Sequence, residues 1–141
     1  DHAALTRGFD DTFLVPHSRY GHIDIDKINA CEELVALAGS ERVGAYLIKN
    51  KSGSQVYITG HPEYDAHTLK EEHLRDQEKS ADAPKPENYF PDDNPDNEPS
   101  KTWQSHAFLL FSNWLNYYVY QTTPYDINLV SQDVRTNNYA E

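Results

Sequence analysis

A chain of 141 residues is long enough for one ordinary domain and short for two. Twelve Lys plus Arg against 23 Asp plus Glu leave a net charge of −11, which argues against a phosphate-tracking nucleic-acid binder. Apolar residues make up 38% with no run near the roughly 20 needed to span a bilayer, and ten tyrosines are too many for a disordered acidic tail.

The chain begins at Asp1 and contains no Met, so it reads as a fragment that has lost an N-terminal part; no signal-peptide pattern is present. Residues 12–15 form a short extended run stopped by Pro16. Residues 34–38 read as a strand. Residues 44–49 (GAYLIK) and 55–59 (QVYIT) are strand-like runs joined by Asn50-Lys51-Ser52-Gly53-Ser54, a hairpin signature in which Gly53 can take a positive φ. Asp65 is the expected cap of a helix running to about Lys79. Residues 76–100 then hold eight acids, two lysines and five of the eight prolines. Proline fixes φ and lacks an N–H, so this stretch is a long acidic loop, with Tyr89-Phe90 as the pair that pins its middle. Ser100 or Thr102 can cap a further helix. In it Trp103, Ala107, Leu110, Phe111, Trp114 and Tyr118 form one stripe, and Phe108, Leu115 and Val119 a second face. A helix apolar on two faces is expected to be buried. Beyond residue 126 the tail, 127–141, turns polar.

The segment that can carry chemistry is Thr59-Gly60-His61-Pro62-Glu63-Tyr64-Asp65. It places His61 and Glu63 at the carboxyl end of a strand, where open α/β sheets form ligand crevices. A histidine moves protons near neutral pH, and a carboxylate two residues on can hold its ring. On spacing alone a polar turn with a capping acid explains HxE better. Glu72 and Arg75, at i and i+3, form either an exposed salt bridge or a clamp for a zwitterion, with Arg75 forked on a carboxylate. Ser18, in Pro16-His17-Ser18-Arg19-Tyr20, lacks a nucleophile elbow and suits a substrate hydrogen bond. His61, His67 and His73 invite a metal, but HExxH and paired Cys are missing, and a solvated helix face explains His67 and His73. Cys31, the sole thiol, precludes an internal disulfide framework and slightly favours a reducing compartment. It is followed by two acids, lacks an elbow, and reads as structural or surface.

Four segments together, TRGFDDTFLVPHSRY, TGHPEYDAHTL, NYFPDDNP and WLNYYVYQTTPYD, resemble the homoserine O-acyltransferase family, and within it the succinyltransferases. The likeness runs from about Asp1 to Asp126. It implies an α/β, class I glutamine amidotransferase-like (flavodoxin-like) three-layer fold, incomplete here. Residues 1–126 would be the C-terminal part of the acyltransferase domain. It further implies a ping-pong reaction that moves an acyl group from succinyl-coenzyme A, a co-substrate with no further cofactor, to the hydroxyl of L-homoserine. In this likeness His61 is the base and Glu63 its orienter, with Ser18, Arg75 and Glu72 at the substrate. The nucleophilic cysteine would lie in a missing N-terminal half. A cytoplasmic enzyme without nucleic-acid or membrane partners follows, and a homodimer is left open. The rival readings are an acetyl-coenzyme A donor, a non-catalytic amino-acid-binding module, and half of an amidotransferase-like hydrolase.

Overall fold

The computed structural model describes residues 4–124. In chain order they form α1 (Ile25–Ala30), β1 (Leu34–Ser40), β2 (Gly44–Asn50), β3 (Val56–Ile58), α2 (Thr68–Lys79), a 3₁₀ turn (Pro91–Asp93), α3 (Gln104–Trp114) and a π-helical turn (Leu115–Tyr120). The strands make an antiparallel sheet in the order β1-β2-β3. The 127–141 tail lies outside the described residues.

The β2–β3 hairpin forms as its turn residues dictate. Gly53 has φ +77°, and the Asn50 side chain accepts the Gln55 N–H at 3.0 Å and donates to Ser54 at 2.9 Å. Strand β2 is the middle strand, and residues 44–49 are all buried, Lys49 included. Burial on both faces removes the alternation that a half-exposed strand would show. Leu47 and Tyr46 join Leu5 and Leu110 in the core, with Phe13 and Val15 packed against it.

Residues 12–15 are not a strand. Phe13 and Val15 contribute side chains to the core instead. Helix α1 was not expected; it is six residues long, buries none of them, and is capped by Asp24, which accepts the Asp26 N–H at 2.8 Å. Asp65 does not cap α2. That helix starts at Thr68 behind His67 with no side-chain cap, and Asp65 pairs with Lys101 at 3.1 Å. Neither Ser100 nor Thr102 caps α3, whose cap residue is Trp103 without a capping side chain.

The acidic loop is pinned where its aromatic pair predicts. Phe90 is buried, and the Tyr89 hydroxyl donates to the Ala66 carbonyl and accepts the Lys70 N–H at 3.2 Å. Asn88, Asp92 and Asp93 take positive φ, which short polar side chains tolerate best after glycine. Helix α3 meets the core along one face only, through Trp103, Leu110 and Asn113. The Asn113 amide donates to the Leu5 and Arg7 carbonyls at 3.0 and 2.9 Å. The expected full burial of α3 is therefore corrected: Phe108 is 72% exposed, and Phe111, Trp114 and Leu115 stand out beside it.

Candidate functional site

The turn after β3 brings three segments together. Thr59 prolongs the sheet, its N–H donating to the Tyr46 carbonyl at 2.9 Å and its hydroxyl to the Ala45 carbonyl at 2.7 Å. The chain then leaves the sheet at Gly60. A Cβ there would stand 2.9 Å from the Pro16 oxygen, 3.0 Å from His17 and 3.1 Å from Tyr46, so only glycine allows this approach. The next amide, of His61, donates to the Pro16 carbonyl at 2.8 Å. Two segments 45 residues apart are thus fastened backbone to backbone, and Ser18 is set beside the His61 turn.

His61 and Glu63 are in contact, with 2.9 Å between Nδ1 and a carboxylate oxygen. Glu63 fixes that side of the ring and leaves Nε2 as the nitrogen able to take a proton. The ring is stacked on Tyr64, with centroids 4.3 Å apart and planes at 18°. The Tyr64 hydroxyl donates to Glu72 at 2.8 Å, and its backbone carbonyl accepts the indole N–H of buried Trp103 at 3.0 Å. Burial, then the hydrogen bond to Glu72, raise the Tyr64 phenol to about 12, against a hydrogen bond from Ser18 that favours the phenolate. Tyr64 therefore stays protonated and remains a donor.

Glu72 is thus joined through Tyr64 to the His61 ring, and Ser18 acts on the same phenol. The second Glu72 oxygen is buried without a hydrogen-bond partner. Arg75 does not form the expected salt bridge with Glu72. Its Nε donates to Asp76 at 3.2 Å, while Glu72 still acts on its charge. Its terminal nitrogens carry no hydrogen bond among the described residues, so the fork is open to a carboxylate.

His67 pairs with Glu98 at 3.4 Å on the outside of the protein, whereas His73 is only 6% exposed and lies near Phe90. The expectation that both occupy a solvated face fails for His73, which shares the inner side of α2 with Leu69. Cys31 is exposed at the C-terminal end of α1.

A hollow of about 680 Å³ beside Glu63 runs along α3 past Lys101, Gln104 and Phe108; another, of about 550 Å³, is lined by His17, Tyr46 and Asp10. His17 and Tyr64 are the residues that sequence reasoning passed over. Tyr64 stood inside the motif that was singled out, but no spacing rule shows that its ring lies on His61. Both ring nitrogens of His17 are buried without hydrogen-bond partners. Burial first, then the charges of Arg19 and His61, push its pKa down to about 4.

That depression has a consequence for stability. The native pKa lies below the unfolded value of 6.5, so the unfolded chain binds more protons between pH 6.5 and about 4. Stability is undiminished above 6.5, falls as the pH drops through this window, and levels off below it. In thermal unfolding at pH 7 and pH 4.5, a His17→Phe variant should lose less in Tm between the two than wild type. An equal loss in both would show that His17 is not a source of the acid sensitivity.

A family profile described as homoserine O-succinyltransferase matches residues 1–125. A homoserine O-succinyltransferase of Pseudoalteromonas translucida is 84% identical over all of this chain, which covers 45% of that protein. One of Pectobacterium carotovorum is 56% identical over 89% of this chain and 41% of its own length. A homoserine O-acetyltransferase of Petrotoga mobilis is 52% identical over 92% of this chain and 42% of its own length. The chain thus spans less than half the length of these curated relatives.

Proposed function

The chain belongs to the homoserine O-succinyltransferase family, and from that premise we propose that it carries the base and the acceptor site of an enzyme that moves a succinyl group from succinyl-coenzyme A to the hydroxyl of L-homoserine, the opening step of methionine biosynthesis. The observation that carries this reading is the His61–Glu63 contact at 2.9 Å beside Ser18 and Glu72.

In this mechanism a cysteine thiolate from the part of the enzyme outside this chain attacks the succinyl-coenzyme A carbonyl. Coenzyme A leaves as its thiolate, and a succinyl thioester remains. Homoserine then enters. Its hydroxyl proton passes to His61 Nε2, its oxygen attacks the thioester carbonyl, and the cysteine thiolate departs. Glu63 holds the ring through Nδ1 and favours the imidazolium that forms. Arg75 takes the homoserine carboxylate on its open fork. The free, buried oxygen of Glu72 takes the ammonium group, and Ser18 hydrogen-bonds the substrate. Succinyl-coenzyme A is consumed as a co-substrate, and the residues need no further cofactor.

The fold that goes with this reading is the three-layer, class I glutamine amidotransferase-like one, with residues 1–126 as its C-terminal part and the missing half supplying the remaining strands. The described residues contain no helix long and apolar enough to cross a membrane. A cytoplasmic location goes with this reading. The acetyl donor is the second reading, favoured by the acetyltransferase name of the Petrotoga mobilis relative; the 84% identical relative bears the succinyl name.

The test is steady-state coenzyme A release by the full-length enzyme with each donor, with and without homoserine. Homoserine-dependent release from succinyl-coenzyme A, and a succinyl adduct on a cysteine when homoserine is withheld, are expected. Equal or faster use of acetyl-coenzyme A would replace the donor, and an absence of transfer to homoserine would end the reading. A narrower outcome concerns Arg75. Lysine keeps the charge but not the bidentate fork, so Arg75→Lys should raise KM for homoserine about tenfold or more, with little change in KM for succinyl-coenzyme A. An unchanged homoserine KM would remove Arg75 from the site.

A further inference from the structure

We propose that Tyr64 is a positioning residue of the acceptor half-reaction, coupling the homoserine-binding side chain Glu72 to the His61 ring through its hydroxyl and its stacked face. The inference rests on the functional reading above and deepens it.

Two independent contacts place Tyr64 at this junction. Its ring lies face to face with His61, with centroids 4.3 Å apart. That stack restricts rotation of the imidazole about its bond to the backbone, while Glu63 restrains it only through Nδ1. The side chain of Glu63 is 58% exposed, so its hold on the ring is screened by solvent, whereas the Tyr64 face is carried by a half-buried residue. The Tyr64 hydroxyl donates to one Glu72 oxygen at 2.8 Å, which fixes the carboxylate and leaves the other, buried oxygen for a substrate donor. Ser18 lies close enough to act on the same phenol, favouring its phenolate form.

Tyr64 is itself held through its backbone. The buried Trp103 indole donates to its carbonyl at 3.0 Å, and its N–H donates to the His61 carbonyl at 3.2 Å. A residue anchored on α3 and on the turn can set the distance between base and acceptor site, which neither Glu72 on α2 nor Ser18 on its loop can do alone. The phenol is kept protonated far above neutral pH, so its donor role does not lapse in the working range.

Two variants of the full-length enzyme separate the hydroxyl from the ring. Tyr64→Phe keeps the stack and removes the donor to Glu72. It should raise KM for homoserine roughly ten- to a hundredfold, the worth of a hydrogen bond to a charged group, with kcat falling much less. Tyr64→Leu removes both and should add a fall in kcat of about tenfold or more, because an unstacked imidazole samples unproductive orientations. Circular dichroism and thermal melting of each variant check that it is folded. Should Tyr64→Leu not fold, Tyr64→Phe paired with Glu72→Gln in a double-mutant cycle decides the matter: the two effects on homoserine KM should be far from additive. An unchanged homoserine KM in folded Tyr64→Phe, or additive effects in the cycle, would overturn the proposal. So would equal rises in KM for homoserine and succinyl-coenzyme A, the mark of a merely structural role. His61→Asn run in parallel keeps the two ideas apart. If it retains full activity the functional reading falls, and Tyr64 with it; if it is inactive while Tyr64→Phe matches wild type, only the Tyr64 proposal falls.

Discussion

Replacing His61 with asparagine in the full-length enzyme should lower kcat for acyl transfer by roughly a hundred- to ten-thousandfold, the range that a positioned general base contributes. Asparagine is close to the imidazole in size and can still meet Glu63, so the turn at Gly60 and its bond to Pro16 are kept. It cannot accept the homoserine proton. The loss should therefore fall on the chemical step, with homoserine KM changed much less. Glu63→Gln is the graded companion. It retains a partner for Nδ1 but removes a charge whose side chain is 58% exposed, so its effect should be the smaller of the two. A thiol assay for coenzyme A release measures both. A kcat for His61→Asn within threefold of wild type would take His61 out of the chemistry.

The fold was legible in the sequence where local chemistry decides it. The Asn50-to-Ser54 turn needs one positive φ and a polar side chain to close it, and Gly53 and Asn50 supply them. Five prolines keep residues 80–100, after the end of α2, from forming a strand or a long helix, and Tyr89-Phe90 had to find an interior. Expectations failed where tertiary contacts decide. Residues 12–15 look extended, yet among the described residues no strand pairs with them. Asp65 has the chemistry of a cap, but Lys101 claims its carboxylate. Helix α1 is only six residues long and buries none of them fully, so Ile25 and Ile28, one turn apart, are too short an apolar pattern to announce it.

The site divides in the same way. His61 and Glu63 are two residues apart after a strand, and their contact follows from that spacing. Glu72 and Arg75 suggested each other because they are one turn apart, but Glu72 turns to Tyr64 and Arg75 to Asp76. Proximity along a helix is only one competitor for a charged side chain. A phenol eight residues upstream, anchored by Trp103, is the stronger partner. His17 was passed over because nothing in Pro16-His17-Ser18 tells that both ring nitrogens end up buried.

The 141-residue chain by itself should transfer no acyl group from succinyl-coenzyme A to homoserine. The thioester route needs a thiolate next to the base. Cys31 lies exposed at the end of α1, lines neither hollow, and has its N–H bonded back to Ile28 at 3.1 Å. With no thioester in reach, His61 can only polarise water. The same chain should also associate with itself. Phe108, at 72% exposure, and Phe111, Trp114 and Leu115 at about 40%, form an exposed apolar face on α3 and the turn after it. Sedimentation should show concentration-dependent self-association, and Phe108→Ser should weaken it, because that side chain protrudes furthest and contributes least to the core. Coenzyme A release by the isolated chain should stay at the level of buffer whether homoserine is present or not, and mass spectrometry should find Cys31 unacylated. Homoserine-dependent turnover would place a nucleophile inside these 141 residues and overturn the division of roles between this chain and the rest of the enzyme.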